Sequence, residues 1–128
     1  IPIFSSVDEA RANRRPEVLQ QYMGDSVGWY EGDALVVETI NVNPQQMQQS
    51  STAITKNGRI TERFTRYSDT EIVYRFTVED SDLYSQAWTA ELSFHTSDGH
   101  LYEYACHEGN YSMPGTLAGA RRLEAEQK

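Results

Sequence analysis

The sequence predicts a mainly β domain, an antiparallel meander that closes into a barrel or half-barrel, with short helical turns before it and a helix after it. Three observations carry that expectation. Residues Glu71–Glu79 and Ala87–Thr96 alternate apolar and polar side chains with period two, as a strand with one buried face does. Ser68-Asp69-Thr70 and Ser97-Asp98-Gly99 are turns short enough to force antiparallel neighbours. Strand-like segments also recur about every 8–12 residues, the rhythm of a sandwich or barrel.

At 128 residues the chain fits one domain of about 100–150 residues. It is read as one β domain, with an arm over 1–25, antiparallel strands over 26–106, and a loop and helix over 107–128. Hydrophobic content of 38% with 23% charged residues is ordinary for a globular chain and does not point to disorder. The net charge of −8 repels phosphate, so nucleic acid and anionic membrane are excluded as general partners. Arg11, Arg14 and Arg15 read as helix-surface charges. No stretch approaches the roughly 18–20 apolar residues of a membrane span, so insertion is not expected. The chain opens Ile1-Pro2-Ile3-Phe4 rather than with Met, which points to a removed leader or a piece of something longer. The single Cys106 leaves no disulfide framework and no zinc pattern.

In order along the chain, Ser6-Val7-Asp8-Glu9 reads as a capping box, with Ser6 as N-cap and Glu9 reaching back. Pro16 interrupts that helix and suits the start of a second short turn, Pro16–Met23, closed by Gly24. Val27–Tyr30 and Ala34–Val42 then flank the Gly-bearing loop Glu31-Gly32-Asp33 as a hairpin. The connection over 43–58, which contains a Gln-rich run (Gln45, Gln46, Gln48, Gln49), is long for a compact domain and reads as functional, mobile or oligomer-forming. Ala53–Thr55 and Asn57-Gly58 are read as a small hairpin inside it. Arg59–Tyr67 alternates less cleanly because Glu62 stands between Ile60 and Phe64. A last strand, His100–Cys106, follows, making roughly six or seven in all. Pro114 with Leu117, Arg121 and Glu124 marks a closing helix. Such a meander leaves two open edges unless it closes or pairs with another chain.

Gly24-Asp25-Ser26-Val27-Gly28-Trp29-Tyr30-Glu31-Gly32-Asp33-Ala34-Leu35-Val36-Val37-Glu38-Thr39, Thr61-Glu62-Arg63-Phe64, Phe76-Thr77-Val78-Glu79-Asp80, Trp88-Thr89-Ala90-Glu91 and Tyr102-Glu103-Tyr104-Ala105-Cys106-His107-Glu108-Gly109-Asn110-Tyr111 together resemble a family of uncharacterised bacterial proteins. Many of these carry export signals. The resemblance spans residues 24 to 122 and implies an exported protein, periplasmic or secreted, with no activity to carry over to a residue. Relatives often place further strands ahead of the Gly24–Gly28 segment. Here only Ile1–Phe4 is available, which implies a truncated chain or a sheet completed by a neighbour.

Glu62 and Glu103 both fall on faces shared with apolar residues, where an unpaired carboxylate is costly. They are candidates for an acid–base pair, with His107 as a third group. The alternative is that each pairs with an arginine such as Arg63, Arg66 or Arg75, or sits at a strand end in water. His95, His100 and His107 have no ligand spacing, so no metal or other cofactor is expected. Cys106 beside His107 reads as a structural thiol rather than a dyad, because adjacent strand residues face opposite ways. Trp29, Tyr74, Phe76, Trp88, Tyr102 and Tyr104 either fill the core or line a pocket for a flat apolar ligand. Three functions follow in order. First comes an exported calycin-like domain binding a small apolar or aromatic molecule. Next is a self-assembling protein, a homo-oligomer formed through open sheet edges. Last is an acid–base enzyme using the inward carboxylates.

Overall fold

In the computed structural model, which describes residues 1–48, 52–102 and 111–126, the alternating segments form one six-stranded sheet ordered as in the chain. Its strands are β1 (Ile3–Phe4), β2 (Asp25–Glu31), β3 (Ala34–Ile40), β4 (Arg59–Arg66), β5 (Glu71–Glu79) and β6 (Trp88–His95). Two helices accompany them, α1 (Val7–Ala12) after β1 and α2 (Ser112–Glu126) near the end of the chain. The chain divides into a unit of Ile1–Thr96, which holds the sheet and α1, and a unit of Ser97–Lys128, which holds α2.

The sheet is mixed rather than wholly antiparallel. β2 to β6 pair antiparallel in sequence, but β1 runs parallel to β2, with Ile3 opposite Gly28 and Phe4 opposite Trp29. Parallel neighbours need a crossover, and α1 with the segment after it supplies one. Gly28 makes the approach possible, since a Cβ there would stand 2.7 Å from Ile3 Cδ1. Among the described residues β1 and β6 do not pair, so the sheet is open.

α1 begins as the capping residues predict. Ser6 is extended (φ −151°, ψ 163°) and its hydroxyl accepts from the Glu9 amide at 3.2 Å. The return bond differs by one residue: Glu9 accepts from the Ser5 amide at 3.0 Å instead of that of Ser6. The helix lies on one face of β2 and β3, where Ala10, Val27, Trp29 and Val36 form a buried cluster with Phe4 and Val7 against it. Each such apolar side chain contributes about 1.5–3 kcal/mol when fully buried.

No continuous helix forms over Pro16–Met23, but two single turns do: the Leu19 amide donates to the Pro16 carbonyl at 2.9 Å and the Gly24 amide to the Gln21 carbonyl at 3.1 Å. Val18 and Leu19 are exposed, so no apolar face favours a helix there. Polar contacts tie the segment to the end of β3: the Asn41 amide nitrogen donates to the Glu17 carbonyl at 2.8 Å, and Gln20 donates to the Asn41 side-chain oxygen at 3.2 Å. Asn41 itself sits at φ +54°, a conformation asparagine tolerates better than most residues.

The arm is also tied down by charge: Arg11 is the half-exposed helix-surface residue expected, but Arg14 lies beyond α1 and is largely covered, which corrects its reading as a surface charge. Glu38 on β3 is buried, and it receives Arg11 at 2.7 Å, Arg14 at 2.6 Å and, more distantly, Arg59 at 3.6 Å. Arg14 also reaches the Asp25 carbonyl at 2.8 Å. The far end of the sheet's other long connection is packed just as closely. Gly58 closes a turn onto the Thr55 carbonyl at 3.1 Å, and no strand forms over Ala53–Thr55. A Cβ on Gly58 would meet Ile54 Cγ1 at 2.4 Å and Asp80 Oδ2 at 2.7 Å. Gly58→Ala is therefore expected to destabilise the domain by about 1–3 kcal/mol, read as a lower urea midpoint with an unchanged slope.

In the second unit α2 carries Pro114 in its first turn, where the missing N–H leaves no bond unmade. Arg122 and Glu126 pair at 3.0 Å one turn apart. His100–Tyr102 are not in a strand, and the rest of the predicted last strand lies outside the described residues.

Candidate ligand-binding site

The register divides the sheet's side chains into two unlike faces. One carries the α1 core on β2 and β3 and continues over β4 to β6 as a charged, wet surface. There Arg63 is directly opposite Arg75, and the like charges are relieved by Glu31 against Arg63 and by Glu91 against Arg75 at 2.6 Å. Thr77 and Thr89 share a hydrogen bond at 2.8 Å on the same face. The other face is apolar and aromatic.

On that apolar face β4 presents Ile60, Glu62 and Phe64. β5 sets Val78, Phe76 and Tyr74 directly opposite them. Trp88, Ala90, Leu92 and Phe94 of β6 continue the rows. The rings stack along the face: Tyr74 lies 4.8 Å from Phe64, 5.6 Å from Phe76 and 5.1 Å from Phe94, centre to centre. Phe76 and Tyr84 each meet Trp88 edge-on, at 5.5 Å and 5.8 Å. Such pairs add about 0.5–1.5 kcal/mol each beyond the area they bury.

Part of this face is roofed by the ends of the long connection and by the arm. A cavity of about 470 Å³ results. Ile60, Phe76 and Tyr74 form its floor, Met23, Val42 and Ile54 much of its roof. Polar groups enter it at four places, one of them Thr52. Ser26 and Thr39, opposite each other on β2 and β3, share a hydroxyl–hydroxyl bond at 2.7 Å. Gln46 reaches in from the connection. Glu62 accepts a hydrogen bond from the Tyr74 hydroxyl at 2.7 Å. Burial, and then the neighbouring carboxylate, push the Tyr74 phenol well above its ordinary value, so it stays a donor through the physiological range. Mostly apolar walls with a few convergent polar groups are what a small-molecule site requires.

A second, larger cleft of about 610 Å³ opens between the arm, Lys56–Arg59 and the loop after β5. Its buried carboxylates are already engaged: Asp25 by Arg14, and Asp80 by the Thr55 and Asp82 amides at 2.6 and 3.0 Å. Burial raises the Asp80 carboxyl, but those amide bonds outweigh it and hold it below the usual range. In this cleft Asp25 and Asp80 serve to hold the surrounding chain together.

The residues singled out from sequence are distributed unevenly. Tyr74, Phe76 and Trp88 share the aromatic face, with Tyr74 and Phe76 lining the cavity. Trp29 is not part of it. It lies on the opposite face, 5% exposed beneath α1, with its indole nitrogen donating to Glu31 at 2.9 Å. Tyr102 belongs to the second unit, its ring edge-on to His100 at 6.2 Å. Tyr104, Glu103, His107 and Cys106 lie outside the described residues. Glu62 faces the cavity, and its partner is Tyr74 instead of an arginine. The hydroxyl pair and the lining by Met23, Val42 and Ile54 had no sequence signal beyond the unusual length of the connection. Among the described residues no group of three or more His, Cys, Asp or Glu could hold a metal ion, and no helix is long and apolar enough to cross a membrane. Comparison of the chain with protein-family models, curated proteins and solved structures gives no match.

Proposed function

We propose that this domain binds a small, largely apolar molecule, aromatic or aliphatic, in the cavity over β3, β4 and β5. The observation that carries the reading is the cavity itself: about 470 Å³, within the volume range of small-molecule sites, floored by aromatic rings and entered by only a few polar groups. A binder of this kind suits an exported, acidic domain of calycin-like half-barrel form. The bacterial family suggested by the sequence motifs, with its export signals, suits it too.

A neutral aryl alcohol such as 4-phenylbutanol serves as a first probe, added to the full chain and followed by chemical-shift changes and calorimetry. Changes are expected at Ile60, Glu62, Tyr74 and Phe76. Phe76→Ala removes the floor of the cavity and is expected to weaken that binding about ten-fold, the loss of roughly 1–3 kcal/mol of apolar contact. Saturable binding with no change at those residues would place the ligand elsewhere.

A second reading, self-assembly through the sheet edge, draws on β6, the last strand in the order, where Leu92 and Phe94 are exposed. Solution mass by light scattering over a concentration series separates the two, because a ligand-binding monomer keeps one mass throughout. Glu62 alone gives the acid–base reading little support, since the second carboxylate it invokes, Glu103, lies outside the described residues.

A further inference from the structure

The one charged side chain in the cavity lining is Glu62; Ile1, which bears the chain's α-amino group, also lines the cavity but forms no salt bridge with Glu62 among the described residues. Glu62 is the only ionisable carboxylate in its lining, and no lining residue has a cationic side chain. Among the described residues no Arg, Lys or His forms a salt bridge with Glu62, although Glu31, Glu38 and Glu91 on the same sheet each have an arginine. Its one side-chain partner is the Tyr74 hydroxyl on Oε1, which leaves Oε2 without a side-chain donor among those residues. Aromatic rings stand beside it: Phe76 is its direct cross-strand neighbour, Phe64 follows two residues along β4, and Tyr74 stacks between the two. A carboxylate held among aromatic rings favours a positive charge twice over, through the charge itself and through the ring quadrupoles.

From this juxtaposition we infer that the cavity takes an organic cation, an amine or ammonium group on an apolar body, with Glu62 as its counter-ion and the rings of Tyr74 and Phe76 against the body. The inference rests on the binding reading above and names its ligand class. An ammonium at Oε2 gains a charge-assisted hydrogen bond that an alcohol of the same shape gains only in part, while a carboxylate of that shape meets repulsion.

A matched set of three probes tests it on the full chain by calorimetry at neutral pH and moderate salt: 4-phenylbutylamine, 4-phenylbutanol and 4-phenylbutyrate. The amine is expected to bind about ten-fold or more tighter than the alcohol, and the carboxylate weaker than either. Glu62→Gln is expected to bring amine and alcohol to within about two-fold of each other, because the amine loses more than the alcohol when the charge is removed. Amine and alcohol binding equally to the natural chain would overturn the cation and leave the binding reading standing. A preference that survives in E62Q would overturn the role of Glu62. If none of the three binds, the binding reading itself fails and takes this inference with it. Should E62Q not fold, Tyr74→Phe keeps the carboxylate and removes only the phenol. The amine preference must then persist, and its loss would overturn the assignment.

Discussion

Glu38→Ala is expected to lower the unfolding free energy by about 3–5 kcal/mol, because it strands a buried guanidinium that no other carboxylate can serve as well. Arg14 is buried beside Glu38 at 2.6 Å, while Asp25, its other acidic partner, stands at 3.4 Å. Arg11 loses its partner too, and with it the clasp of α1 on β3. The same site predicts a dependence on acid. Burial alone raises the Glu38 carboxyl, but the hydrogen bonds from Arg11 and Arg14 and the charge of Arg59 outweigh it, so its folded value lies below the ordinary 4.5. A carboxyl depressed by folding contributes its stability in full above its unfolded value and loses it as pH falls through the folded value. The loss therefore belongs to the range from pH 4.5 downward. Urea midpoints followed by circular dichroism at neutral pH and at steps below pH 5 test both statements. The natural chain should lose stability faster than Glu38→Gln on acidification, and parallel curves for the two would contradict the assignment.

Trp29→Ala is expected to cost about 3–5 kcal/mol, the usual consequence of deleting a large buried ring. The side chain is 5% exposed, packed among Ala10, Val27 and Val36, and its indole N–H bond to Glu31 is lost with it. That bond is also the main reason the Glu31 carboxyl lies below its ordinary value. The informative contrast is with ligand affinity. Trp29 stands on the face away from the cavity, so the folded fraction of the variant should bind 4-phenylbutanol as the natural chain does. Phe76→Ala, by contrast, should weaken binding in the folded fraction itself, because it removes the cavity floor along with its ring contacts to Tyr74 and Trp88. A Trp29 variant that keeps its stability and loses binding would put the site on the wrong face of the sheet.

Much of this architecture was legible one residue at a time. Period-two alternation over Glu71–Glu79 and the segment ending near His95 located β5 and β6 to within a residue or two. The capping residues around Ser6 marked α1. Glu62 stood out because a charge had been placed where the pattern called for an apolar residue. These are local properties, determined by the chain's own torsional preferences and by the two-sided geometry of a strand.

What lay beyond reach required register and layering, which depend on residues far apart in the chain. Alternation shows that Trp29 and Tyr74 each face one side of a strand, but not that the sides are opposite ones. That was decided when α1 covered Trp29 and left Tyr74 to the other face. The same holds for the arginines of the arm. Their pattern looks like that of any solvated helix until β3 places Glu38 beneath them. Pro16–Met23 has helix-compatible residues, yet tertiary hydrogen bonds to Asn41 and the lack of a face to bury limit it to two single turns. The meeting of Glu62 with Tyr74 is of this kind as well: it needs the pairing of β4 with β5, in which Phe76 is the direct neighbour and Tyr74 the diagonal one. By itself the sequence determined where strands run and which residues are out of place in them. Only the tertiary structure decided which misplaced residue meets which partner, because burial and pairing energies depend on distances the chain closes only when folded.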